Sequence, residues 1–363
     1  MFLAQGFLLF LGLIWSAFTA KARILLWRGR KPQTRTEHTM LYPLKFKPIL
    51  KEVVWGGERL AKAGKQVPKG LDKRHIGESW EISSLEGAES EVAEGPLAGN
   101  TLSELLEVYM GELVGDKAYD THGLEFPVLL KLIDTREHLS VQVHPTNDFA
   151  EEYCDAKGKT EMWYVIDATP DGAIYLDVNR PLTEEEYDEA VESGTIDKLL
   201  KKRLVHKGEA FMVPAGTIHS IGGGVLLAEV QESSDATFRI YDWGRTDTHG
   251  HPRELHTALA AEVANLTPHD NLNITRAAES NSAVQLADCD AFCVNLVKVG
   301  GTIELDYTPL DSYVAYMCTE GEVTVKAMGE STTLRALETL LLPAEATDIV
   351  ITGSATLLEV YTK

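Results

Sequence analysis

Cysteine is scarce in this chain of 363 residues. The four present, Cys154, Cys289, Cys293 and Cys318, are scattered and match no zinc-ribbon spacing. That excludes a disulfide framework and points to free, mostly buried thiols in a reducing compartment. Basic residues are scarce as well: 34 Lys and Arg stand against 55 Asp and Glu, a formal charge of −21. Nucleic-acid binding needs a basic footprint, so nucleic acid is excluded as a partner. A small anion is not excluded, because a few cations inside a cleft outweigh the global field. Histidine is absent beyond His269, so the C-terminal part of the chain cannot build a two-histidine metal centre.

Long apolar runs are few, and the longest, residues 2–20, lies at the N-terminus. It is long enough for a membrane span or a signal core. No Lys or Arg precedes it, whereas Lys21, Arg23, Arg28, Arg30 and Lys31 follow. That asymmetry holds the following chain on the cytoplasmic side. The preferred reading is that the protein starts at Met40 and that residues 1–39 are an upstream extension. A cytoplasm-facing anchor and a cleaved signal are the alternatives. A membrane is a partner only if residues 2–20 are an anchor, and the expected location is the cytoplasm.

Two histidine-bearing segments carry the chemistry. In the first, Gln142 and His144 are two apart within an apolar run, and Glu161 opens the run Met162-Trp163-Tyr164-Val165-Ile166. In a strand, a spacing of two places both side chains on one face. In the second, His219 follows the strand 210–213 and the turn residues Pro214, Ala215, Gly216 and Thr217. Three strand ends can thus deliver Gln142, His144, Glu161 and His219, a mixed N/O set suited to zinc or another first-row divalent ion. Any one histidine alone reads as an ordinary core or surface residue; the joint pattern is what points to a metal.

The second segment follows the cupin pattern G-x5-P-x-G-x2-H, while Gln142 replaces the first His of the usual cupin H-x-H. With Trp55-Gly56-Gly57, Gly77-Glu78-Ser79-Trp80, Leu130-Lys131, the setting S-x-Q-V-H-P at 140–145, K-x-E at 159–161 and the stretch 231–245, residues 41–363 resemble type I phosphomannose isomerases. The resemblance implies a mainly β fold of two cupin-type jelly-roll barrels with a small helical insertion. It implies one Zn2+ per chain held by Gln142, His144, Glu161 and His219, with another divalent metal as alternative. The reaction implied is interconversion of mannose 6-phosphate and fructose 6-phosphate through a cis-enediol.

The same resemblance implies roles for Arg239 as electrostatic partner of the enediolate or phosphate, Glu229 as a catalytic acid, and Lys131 as a phosphate ligand. The alternative for Arg239 is an ion pair with Asp235 or Asp242, and for Glu229 a solvent-facing strand residue. Glu229 sits among Leu226, Leu227, Ala228 and Val230, where desolvation raises a carboxyl pKa towards neutrality. Lys159 shares parity with Glu161 and is expected in substrate contact or proton transfer. Ser140 shares parity with Gln142 and is expected to line the cleft, with Trp80 and Trp55 as its walls or as core. Two other classes stay open: an Fe(II) cupin oxygenase and a non-catalytic sugar-binding cupin. A sugar phosphate is the expected small-molecule partner, in a monomer or homodimer.

Domain boundaries are expected at 1–39 (extension), 40–266 (catalytic, with a helical insertion near 182–203) and 267–363 (a cupin-like half without metal ligands). Helices are expected over 102–113, 147–153 and 255–265. Thr183 and Glu186 form a capping-box pattern, and a second helical stretch is expected around Leu199 and Leu200. Seven short strands are read after residue 290, and Leu341-Leu342-Pro343-Ala344 echoes Met212-Val213-Pro214-Ala215, a pattern fitting an internal duplication.

Overall fold

The computed structural model describes residues 39–154, 156–246 and 250–363. The segment 2–20 and the rest of the extension up to residue 38 lie outside the described residues. The fold is mainly β. Two antiparallel sheets make up the part that carries both histidine segments. The larger runs in the order Ala210–Val213, Glu161–Ala168, Val225–Glu232, Val128–Asp134, Ile76–Ile82, Ile49–Gly57. The smaller runs Leu200–Leu204, Ala173–Val178, His219–Ile221, Val141–Val143, Phe238–Tyr241.

Alternation along the strands explains how the sheets stack. Trp163, Val165, Phe211, Val213 and Leu227 from the larger sheet join Ile174, Leu176 and Ile221 from the smaller one in a shared apolar cluster between them. The opposite parity of the larger sheet (Leu130, Leu132, Met162, Tyr164, Ala228) packs outward into a second cluster. All seven residues of Val128–Asp134 are buried, as expected for a strand covered on both faces.

The C-terminal sheet runs Ser282–Asp288, Cys293–Asp306, Asp348–Tyr361, Val314–Ala327, Glu330–Arg335, with Thr339–Leu342 also paired to Val314–Ala327. Its organisation corrects the strand count read from the sequence. Three expected pairs of short strands are single strands of 14 residues, and Ser282–Asp288 and Glu330–Arg335 were missed. Glycine, read as a turn signal, here permits close passage of paired backbones. A Cβ on Gly321 would lie 2.1 Å from the Ser354 carbonyl oxygen, and one on Gly353 2.5 Å from that of Glu322. Both residues have positive φ, 82° and 140°.

Two helical expectations are also corrected. The helix expected over 102–113 stops at Tyr109, because Met110 adopts a φ of 49°, and resumes as Gly111–Val114. Leu199 ends a 3-10 turn, Ile196–Leu199, while Leu200 starts an edge strand, so the expected second helical stretch is a single 3-10 turn that gives way to strand. The helix Glu184–Glu192 has the expected capping box, and Asn147–Tyr153 is a helix with the bounds expected. Pro214 and Pro343 each follow a short strand and open a turn, with Thr217 N–H donating to the Pro214 carbonyl and Ala346 N–H to that of Pro343.

Candidate active site

Pairing register sets two rows of side chains facing each other across the intersheet space. In the larger sheet Trp80 lies opposite Lys131, Lys131 opposite Glu229, and Glu229 opposite Trp163. In the smaller sheet Leu176, His219, Gln142 and Arg239 stand side by side on neighbouring strands. Glu161 enters beside Gln231, one step along from the first row. His144 follows the strand Val141–Val143 and has the same parity as Gln142.

His144, Glu161 and His219 are fully buried, and their ligating atoms lie within 4.8 Å of one another. Each imidazole is oriented by a backbone carbonyl: Nδ1 of His144 is 2.9 Å from the Ala236 oxygen and Nδ1 of His219 is 2.8 Å from the Thr217 oxygen. Donation from Nδ1 leaves each Nε2 lone pair directed inward, the arrangement that second-neighbour groups impose on metal-binding histidines. Nε2 of His144 is 3.1 Å from Glu161 Oε1, and Nε2 of His219 is 3.3 Å from the Gln142 amide. Rotation of that amide by 180° presents Oε1 to the same point. Burial, then the Lys159 charge, pushes the His144 pKa down to about 3, and burial also lowers that of His219. Both rings are therefore neutral and able to ligate.

Burial alone would raise the Glu161 pKa, but the Lys159 charge beside it holds it well below the usual carboxylate range. Lys159 donates to Glu161 and, over 3.0 Å, to His144 Nε2. An ammonium seated against these groups shows that the pocket is built to hold positive charge. Two imidazole nitrogens, a carboxylate and an amide oxygen make a donor set that fits a divalent ion of the zinc class.

Next to this centre lies a cavity of about 250 Å³. Lys131, Ser140, Gln142, Lys159, Glu229 and Arg239 line it, as does His219, whereas His144 and Glu161 sit behind that lining. Trp80 is the exception among the expected substrate contacts. It does not line the cavity; its ring lies 5.0 Å from Lys131 Nζ and its Nε1 donates to Glu78 over 2.7 Å. Trp55 does line it. Ser140 Oγ donates to Gln142 Oε1 over 3.2 Å.

Glu229 is buried, 3.3 Å from Lys131 Nζ, and accepts from Trp163 Nε1 over 2.9 Å. Burial raises its pKa first and the Glu161 charge adds to that, while Lys131 and Lys159 oppose. Arg239 makes neither of the ion pairs weighed for it from sequence. Asp242 is taken by Arg245 and Arg253, and Arg239 Nη1 donates to the Glu254 carbonyl over 2.7 Å.

Sequence reasoning assigned no role to Glu78 or Arg253, which also line the cavity. Glu78 had a usable signal, a carboxylate two residues from Trp80 and therefore at its parity in the same strand. Arg253 had none, since it lies in an irregular segment where periodicity gives no orientation.

The family model for the phosphomannose isomerase type I catalytic domain matches residues 43–171. The chain is 37% identical to the mannose-6-phosphate isomerase ManA of Bacillus subtilis over 72% of its own length and 81% of that protein. The chain belongs to the type I phosphomannose isomerases. A mannose-6-phosphate isomerase of Streptococcus mutans is 35% identical over 84% of this chain and 93% of that one. The crystal structure of the mannose 6-phosphate isomerase from Bacillus subtilis superposes with a TM-score of 0.79 at 32% identity, covering 88% of this chain and 99% of that one. Metal dependence is a property of this family, and the His144–Glu161–His219 group is where a phosphomannose isomerase of this sequence can hold its ion.

Proposed function

We propose that the protein interconverts mannose 6-phosphate and fructose 6-phosphate, with zinc held by Gln142, His144, Glu161 and His219. The observation that carries this reading is the pair of inward-facing Nε2 atoms beside a cavity that also holds Glu229, Lys131 and Arg239. A divalent ion held there would supply Lewis-acid chemistry, polarising the sugar carbonyl and stabilising developing oxyanion charge.

The chain's own groups supply the rest. Glu229 takes the proton from C2 of the open-chain aldose and returns it to C1, while the O2 hydroxyl proton passes to O1 across the cis-enediol. Its raised pKa suits it to both halves of that transfer. Trp163 and Lys131 fix its carboxylate from two sides. Glu161, tied to the histidines and Lys159, is occupied as a ligand and is not the base. Lys159 and Lys131 contact the sugar oxygens, and Ser140 helps to orient them. Arg239, in the facing row, is the electrostatic partner of the enediolate or of the phosphate. The proposed catalytic part is 40–266, with 267–363 as a supporting half without metal ligands.

A cytoplasmic location belongs to the same proposal. It is supported by four scattered cysteines that are all free.

The test is to follow fructose 6-phosphate appearance from mannose 6-phosphate, with and without a chelator, and after adding zinc back. Chelator-sensitive turnover that zinc restores is expected. Absence of turnover in metal-loaded protein overturns the isomerase reading and leaves the non-catalytic sugar-binding one.

A further inference from the structure

One wall of the cavity is polar, with Asp235 and Thr237 among its lining residues. Arg239 and Arg253 both line it. Arg253 donates from Nε and Nη2 to Asp242, the former over 2.7 Å. Arg245 donates to the same carboxylate, over 2.8 Å from Nη2 and 3.1 Å from Nε. Asp242 is 6% exposed, and two guanidinium groups converge on it. Arg239 Nε is buried with no hydrogen-bond partner among the described residues. Burial first, and then the neighbouring Arg253, opposes charge on Arg239, while Asp242 offsets part of that.

The inner wall is different. Lys131 is matched by Glu229 and Lys159 by Glu161, so neither lysine has an unmatched charge to give a dianion. Arg239 stands next to Gln142 in register, which puts the arginine wall at one end of the metal row.

We propose that Arg253, held in place by Asp242, is the residue that selects the phosphoryl group, gripping it together with the free edge of Arg239. Asp242 is its positioning residue. The substrate class is therefore an open-chain sugar carrying a terminal phosphate dianion, with the phosphate on the arginine wall rather than on Lys131. Guanidinium suits this task because its planar donors match phosphate oxygens in pairs. The inference rests on the isomerase reading for the identity of the sugar, but not for the anion site itself.

Two measurements on the metal-loaded full chain test it. In Arg253→Gln, KM for mannose 6-phosphate is expected to rise about 10- to 100-fold, the usual range for losing charge-assisted hydrogen bonds, while kcat changes much less. Inhibition by inorganic phosphate weakens in parallel. Arg253→Lys, which keeps the charge but not the paired donors, recovers part of both losses, and Asp242→Asn raises KM with Arg253 intact. An unchanged KM and unchanged phosphate inhibition in Arg253→Gln overturn the proposal. So does a fall in kcat alone, which marks Arg253 as structural. Calorimetric binding of inorganic phosphate, repeated on chelated protein so that the ion is not the acceptor, separates the two readings. If the wild type binds phosphate through Arg253 but does not turn over mannose 6-phosphate, the isomerase reading fails and the anion site stands.

Discussion

At the scale of single residues, the chemistry rests on Glu229 and the groups that set its charge. Burial raises its pKa, the Glu161 carboxylate adds to the effect, and Lys131 at 3.3 Å offsets part of it. The base form of Glu229 therefore appears only above the ordinary carboxylate range, and kcat/KM falls as pH drops through the raised value. Replacing Lys131 by Met removes a cation that favours the ionised form, so the pKa rises further. The acidic limb of the kcat/KM profile is expected to move to higher pH in Lys131→Met. Glu229→Gln is expected to lose about 10²- to 10⁴-fold in kcat, the range for general acid–base catalysis, while metal content stays at one ion per chain. An unshifted limb in the first variant, or near-normal kcat in the second, would remove Glu229 from the role of base.

At the scale of elements, the legible features were those governed by local rules. The helix Glu184–Glu192 begins where Thr183 can accept from Glu186 N–H, and Glu186 returns the bond to Thr183 N–H. Losing a threonine cap costs about 1 kcal/mol. Thr183→Ala is expected to lower the urea midpoint accordingly and to leave kcat and KM as they were, since the helix packs Tyr187 and Ala190 into a cluster away from the cavity. A midpoint equal to wild type would show that the cap contributes nothing measurable. The strand Ala210–Val213 was legible because it lies between turn residues on both sides. The C-terminal strands were not, because Gly300-Gly301, Gly321 and Gly353 look like punctuation in sequence. Whether a glycine ends a strand or lets two strands pass closely depends on what lies opposite it. Met110 is a similar case: nothing local announces a φ of 49° in a helical pattern.

At the scale of the whole molecule, residues 41–363 share one core. Outward-facing Leu130, Met162 and Ala228 of the catalytic sheet lie in the same apolar cluster as Leu296, Tyr313 and Leu358 of the C-terminal part. The rings of Phe126 and Tyr313, both fully buried, are 4.4 Å apart across that junction. Phe126→Ala is expected to cost about 3–5 kcal/mol. Because the cluster is shared, loss of activity and loss of C-terminal structure should occur in one calorimetric transition in both wild type and variant. Two separated transitions would show that the halves fold independently.

The sequence by itself determined the donor types and their strand parity. Gln142 with His144, Lys159 with Glu161, and the turn before His219 follow from a period of two and from turn chemistry, which act over a few residues. Only the tertiary structure decided which side chains share a cavity. His219 meets Gln142 across 77 residues of chain, and Arg239 reaches the same row through register alone. Trp80 does not line the cavity although its parity matches that of Glu78, because it lies two residues along the strand, paired with Lys131 where Glu78 is paired with Ile133. Arg253 was invisible in the sequence because its orientation comes from Asp242, a partner brought to it by folding. Parity is a local property of the backbone, whereas register between distant strands is fixed by how their apolar faces pack together.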